Sequence, residues 1–202
     1  MKKVFPWLLG AAVGGAAWLV YGALVEANKI VLERRRLKLP NWPARLHGYK
    51  IGVLADIHLR DCYTVDHAAR AIELLLDEEP DMIVLPGDLL GYWKEESLDM
   101  LRTVLSPMLL MNDHCIAIPG NHDYCGADPS KMEGALEEVG VKLLRNEIFH
   151  KDGICWVGID SAKEKMCEPI EPMLSAFKQT DPIVVLWHEP DMVELLPVGA
   201  SL

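Results

Sequence analysis

Cys115-Ile116-Ala117-Ile118-Pro119-Gly120-Asn121-His122-Asp123 passes from an apolar run straight into an amide, an imidazole and a carboxylate. A short apolar run bounded by Pro and Gly suits a buried strand. Polar side chains just past the carboxyl end of such a strand suit a ligand-binding loop. The arrangement recurs along the chain. Residues 51–55 lead into Asp56 and His58, residues 82–85 into Gly87-Asp88, and residues 183–187 into His188. Singly, each has a bland explanation as a turn residue, a helix cap or a satisfied histidine. Four strand ends delivering Asp, His or Asn in this order point to a metal site at the carboxyl edge of a parallel sheet.

Between these apolar runs the apolar spacing becomes that of a helix. Ala68, Ala69, Ile72, Leu75 and Leu76 are spaced for one face of a helix over residues 66–79, stopped by Pro80. A second helix is expected over 95–105, ended before Pro107. A third opens at Asp128-Pro129 and runs to about 139, with Gly140 as its stop. A further strand is expected at 154–159 and a short helix near 171–177. This alternation implies an α/β layered fold.

Composition sharpens the chemistry. The formal net charge of −10 argues against a nucleic-acid binder that tracks phosphates, so no nucleic-acid partner is expected. Clustered carboxylates instead attract divalent cations, which then reverse the local sign for a phosphate substrate. The five cysteines are widely spaced with no CxxC, which excludes a disulfide framework and a zinc ribbon and suits a reducing compartment. Oxygen and imidazole donors without thiolates suit Mn²⁺ first, with Fe or Zn²⁺ as alternatives. Asp88, on the central strand of the run, is the natural carboxylate to bridge two such ions. A glycine-rich nucleotide loop is absent from the sequence.

Asp56-Ile57-His58, Gly87-Asp88 and Gly120-Asn121-His122-Asp123 match the D-x-H, G-D and G-N-H-[DE] blocks of the calcineurin-like metallophosphoesterases, and Trp187-His188-Glu189-Pro190 resembles that family's single-histidine block. The subgroup most resembled, the bacterial YaeI- and YkuE-like phosphoesterases, carries an N-terminal membrane segment and a Gly-Asn-His-Asp-Tyr block. The resemblance implies an α/β/β/α sandwich and metal-dependent hydrolysis of a phosphodiester, phosphomonoester or pyrophosphate by a hydroxide held between two divalent ions. It implies that Asp56 and His58 hold the first metal, that Asp88 bridges, and that Asn121 and His188 hold the second. His122 would stabilise the transferring phosphoryl oxygens or protonate the leaving group, and Asp123 would orient His122. The family's later G-H-x-H block does not occur in the sequence. The expectation is therefore a sandwich incomplete at its C-terminus, from a truncated chain. The alternative function is a catalytically impaired remnant, or a membrane-tethered interaction module that keeps the fold.

The N-terminus reads as a separate unit. Residues 4–25 carry no charge, about the length needed to cross a bilayer. The expected organisation is a membrane anchor over 1–27, a basic juxtamembrane linker over 28–45, and the catalytic domain over 46–202. Lys29, Arg34, Arg35, Arg36 and Lys38 after the run favour a single-pass protein of the cell membrane with a cytoplasmic catalytic domain. The anchor also raises the expectation of a lipid-linked phosphoester substrate.

Overall fold

The computed structural model describes residues 5–39, 42–163 and 182–196. The chain divides into two compact units, Met1–Glu33 and Arg34–Leu202. The first is built on helix α1, Phe5–Leu24. Its described side chains include Leu9, Val13, Trp18, Leu19, Val20, Tyr21 and Leu24, all more than half exposed. Among the described residues no helix is long and apolar enough to cross a membrane, so the expected spanning anchor is without support.

The second unit begins with extended chain tied to the globular body. Arg34 meets Glu78 through two hydrogen bonds of 2.8 and 2.5 Å. Arg45 donates to the Gly153 carbonyl at 3.1 Å, and Leu46 is buried in the core.

A four-stranded sheet follows, with strands in the order β1 (Ile51–Val53), β2 (Met82–Pro86), β3 (Cys115–Ile118) and β4 (Lys142–Leu143), every pair parallel. The crossovers carry α2 (Cys62–Leu76), α3 (Ser97–Leu105) and α4 (Ser130–Glu137). α2 starts earlier than its apolar period suggests because Asp61 and Thr64 form a capping box, with Asp61 Oδ1 accepting from the Thr64 amide at 2.9 Å. Gly52 presses on α2: a Cβ there would lie 3.0 Å from Leu75 Cδ1.

The second sheet, in the order β5 (Glu147–Lys151), β6 (Ile154–Gly158) and β7 (Ile183–Leu186), is mixed. β5 and β6 form an antiparallel hairpin, and β6 pairs with β7 in parallel. The hairpin turns on Asp152 and Gly153, with φ of 56° and 70°, the double positive φ that matches strand twist in a two-residue turn. The sheets close on one another through Met82, Val84, Ile116 and Ile118 on one side and Ile154, Trp156, Val184 and Leu186 on the other. The described residues of the second unit thus form a helix layer and two sheets. The short helix expected near 171–177 lies outside them.

One expectation is corrected by this topology. The strand that delivers His188 is not a member of the parallel sheet that delivers Asp56, His58 and Asp88. β6 is buried at every position, and it recruits β7 as its neighbour, so His188 reaches the site from the opposing sheet.

Candidate metal centre

The loops leaving β1 and β2 stay paired after the strands end. The Asp56 amide donates to Gly87 O at 3.2 Å, His58 N–H to Asp88 O at 3.0 Å, and Leu59 N–H to Leu89 O at 2.9 Å. This pairing holds Asp56, His58 and Asp88 at φ of 56°, 44° and 54°. Left-handed backbone at such residues is a strained state that persists only where its surroundings over-determine it. Two glycines let the loops approach. A Cβ on Gly87 would lie 2.7 Å from both Gly120 N and His188 Nδ1, and one on Gly120 would lie 2.2 Å from Asp88 Oδ1.

Asp88 is the hub, with 3% of its surface exposed. Its Oδ1 accepts the His122 amide at 2.8 Å. Its Oδ2 lies 3.4 Å from His58 Nε2 and 3.5 Å from His188 Nε2. Asp56 Oδ1 stands 3.8 Å from His58 Nε2. His188 Nδ1 is 2.8 Å from Pro86 O; a carbonyl can only accept, so Nδ1 carries the hydrogen and Nε2 faces Asp88. His122 likewise turns Nδ1 to Gly91 O at 3.3 Å and sets its ring edge-on to His58, centroids 4.7 Å apart. Donor atoms of His58, Asp88 and His122 fall within 4.8 Å of one another, as do those of Asp56, Asp88 and His188.

The charges follow from this geometry. Burial works to raise the Asp88 carboxyl, but the His188 contact, the His122 amide and the facing imidazoles outweigh it and hold the carboxyl below its ordinary range. The Asp88 carboxylate facing its Nε2 pushes His188 up to about 9. A cation entering here therefore competes with a proton on His188.

Asp123 is fully buried, and its two oxygens are engaged. Oδ1 accepts the Leu90 amide at 2.8 Å and Oδ2 the Gly120 amide at 2.9 Å. Trp93 Nε1 donates to its backbone carbonyl at 2.6 Å. Burial pushes the Asp123 carboxyl up to about 6 against these amides. The expected task of orienting His122 falls instead to the Gly91 carbonyl, and Asp123 clamps the loop after β2 to the loop after β3. Zero exposure explains the change, since a buried carboxylate must be met by donors and backbone amides are the nearest. Asn121 heads the single turn His122–Tyr124 and accepts the Tyr124 amide on its backbone oxygen at 3.4 Å.

The sequence reading did not single out the close-approach glycines Gly87 and Gly120, or the Gly91 carbonyl. Gly87 and Gly120 sit inside the quoted blocks. Gly91 O could not have been found, because a backbone carbonyl leaves no residue-type signal.

The class defined by this fold and donor set is an α/β protein with a carboxylate–imidazole centre suited to divalent cations. The chain belongs to the calcineurin-like phosphoesterase family, whose profile matches residues 49–192. It is 26% identical over 190 residues to a transmembrane protein with metallophosphoesterase domain from Danio rerio, covering 87% of this chain and 43% of that protein. It is 35% identical over 116 residues to the UDP-2,3-diacylglucosamine pyrophosphatase LpxG of Chlamydia muridarum, covering 57% of this chain and 35% of that protein. It is 25% identical over 211 residues to phosphodiesterase YaeI of Escherichia coli strain K12, covering 96% and 72%. The chain spans less than half the length of several of these relatives, 43% of the Danio rerio protein and 42% of an uncharacterized metallophosphoesterase of Helicobacter pylori.

Proposed function

We propose that the chain hydrolyses a phosphodiester or pyrophosphate with a pair of divalent cations held by Asp56, His58, Asp88, Asn121 and His188. The observation that carries the reading is the division of labour on Asp88. One carboxylate oxygen is taken by the His122 amide, and the other faces two imidazole nitrogens from opposite sheets. Those two separations exceed a good hydrogen bond, and both imidazoles present a lone-pair nitrogen when neutral. The residues therefore fit divalent cations, and the oxygen and imidazole donor set is the reason to propose Mn²⁺. Bound there, the cations supply a nucleophilic water at neutral pH and charge for the phosphoryl oxygens.

The chain's own residues do the rest. Asp88, fixed through Oδ1, keeps its second oxygen facing His58 and His188. Pro86 O fixes the tautomer of His188. His122, with Nδ1 committed to Gly91 O, offers Nε2 to the substrate. As a water oxygen bonds to phosphorus and the bond from phosphorus to the leaving oxygen breaks, Nε2 is placed to hand that leaving oxygen a proton. The relatives named as a pyrophosphatase and a phosphodiesterase support this reaction class. Attachment to a membrane surface, with a lipid-carried substrate, belongs to the same proposal and has its support in the exposed apolar side chains of α1.

The test is hydrolysis of bis-p-nitrophenyl phosphate by the purified full chain with added Mn²⁺, beside Asp88→Asn. Mn²⁺-dependent turnover lost in the variant is the expected result. A folded, monodisperse chain without turnover overturns the reading in favour of a catalytically impaired member of the family that keeps the fold for binding.

A further inference from the structure

Two of the three imidazoles at the centre, those of His122 and His188, are delivered by different sheets. His122 follows β3, and His188 follows β7. The apolar contact between the sheets is non-directional, so it does not by itself set one loop against the other. A polar chain does.

Tyr124 closes the turn that His122 opens. Its hydroxyl donates to Asp160 Oδ1 at 2.7 Å and accepts from Arg145 Nη2 at 3.1 Å. Asp160 lies just past β6 and is 2% exposed. Its Oδ2 takes Arg145 Nε at 2.9 Å, its Oδ1 also takes the Ser161 amide at 2.7 Å, and its own amide donates to Asn146 Oδ1 at 3.0 Å. Arg145 is braced in turn by Asp128 at 3.0 Å. From Ser161 the chain continues to the residue after His188. Ser161 Oγ donates to Glu189 Oε1 at 2.5 Å, and the Ala162 amide to Glu189 Oε2 at 3.2 Å.

We propose that Asp160 is a positioning residue: through Tyr124 and Arg145 on one side, and Ser161 and Glu189 on the other, it sets the His122 turn against the His188 loop. Asp160 touches neither imidazole. It acts through the turn whose first amide holds Asp88 Oδ1. Hydrogen-bond partners one step removed from a metal site typically change metal affinity 10–100-fold when lost, because they fix the orientation of the ligands. A wholly buried carboxylate bound by a guanidinium and a phenol is geometrically stiff, which suits that task. The consequence for cations rests on the function proposed above. The coupling between the loops does not.

The experiment uses the full chain in two variants, Tyr124→Phe and Asp160→Asn. Tyr49→Phe is the matched control, because it removes a hydroxyl that donates to Asp152 at 2.8 Å at the hairpin turn, away from the centre. Amide hydrogen exchange of the metal-free protein reads the coupling, and a Mn²⁺ titration followed by the loss of the free-ion resonance signal reads its consequence. Expected in both variants are faster exchange at the His122 amide and Mn²⁺ binding weakened by up to roughly tenfold, the low end of the loss when a ligand's own partner is removed, with neither change in Tyr49→Phe. His122 exchange or Mn²⁺ affinity that stays at the wild-type value in both variants overturns the proposal, as does an equal loss in the control. A wild-type chain that shows the coupling and binds Mn²⁺ yet cleaves no phosphoester supports Asp160 as the positioning residue and sinks the proposed reaction instead.

Discussion

Gly120→Ala adds a single methyl group and should disable the centre. A Cβ at that position lies 2.2 Å from Asp88 Oδ1 and 2.4 Å from Asp88 N. Real Cβ contacts almost never fall below 3.0 Å, so the carboxylate oxygen must retreat by at least 0.8 Å. Oδ1 now accepts the His122 amide at 2.8 Å, and such a retreat carries that bond past any useful length. Loss of a hydrogen bond to a charged group costs about 1.5–3 kcal/mol, and overpacking adds about 1–3 kcal/mol. Together they suggest about 4 kcal/mol, or a fall in Tm of about 8–16 °C for a domain of this size. The backbone nitrogen of Asp88 blocks the alternative escape, so the strain cannot be absorbed by a side-chain rotation alone. Thermal unfolding by circular dichroism gives the stability, and a Mn²⁺ titration of the folded protein gives the affinity. A Gly120→Ala protein with the wild-type Tm and the wild-type Mn²⁺ affinity would refute the reasoning, since it would mean that Gly120 and Asp88 do not meet as closely as described.

Other outcomes follow from burial and charge. Iodoacetamide on the native chain should label the exposed Cys62 and Cys125 and spare Cys115 and Cys155; burial pushes the Cys115 thiol up to about 12, so it should resist even at pH 9. Mass spectrometry of the digest checks this, and labelled Cys115 in a folded sample would contradict the packing of β3. In the metal-free chain the His188 pKa is raised from 6.5 to about 9 by Asp88, so its stabilising contribution is whole below pH 6.5 and lost as the pH climbs through 9. Melts of an EDTA-treated sample between pH 6 and pH 10 should show that decline, and His188→Gln should flatten it. For α1, flotation with anionic vesicles should carry the full chain upward, and deletion of residues 1–33 should leave it at the bottom; equal flotation would remove the helix from any role in membrane attachment.

Much of the first sheet was legible because its signals are local. Residues 82–85 and 115–118 are apolar runs closed by Pro and Gly, and they became β2 and β3 at nearly those limits. The helix edges drifted by a few residues where capping outweighed periodicity, as at Asp61 and Thr64. β4 and β5 were missed for different reasons. β4 is two residues long, too short for any period. β5 is half polar, Glu147-Ile148-Phe149-His150-Lys151, with no buried position, although the Asp152-Gly153 turn after it was a usable hairpin signal.

The candidate donors were readable as residue types, but their geometry was not, and the reason is specific. Asp56, His58 and Asp88 meet because three backbone bonds run between loops far apart in the chain. His188 reaches Asp88 because β7 chose β6 rather than β1 as a neighbour, and because Gly87 leaves room for its ring. Both are long-range pairings, and long-range pairing has no local period to read. A local turn separates His122 from Asp123. Adjacent in sequence, the two invite a functional pair, yet the turn that follows Asn121 sends one side chain toward Gly91 O and the other into the interior against two amides. Adjacency along an irregular turn therefore says little about partnership. What a block such as Gly-Asn-His-Asp does carry is a backbone requirement, a glycine beside a buried carboxylate, and that requirement is why one added methyl at Gly120 is the sharper probe of the centre than removal of any single donor.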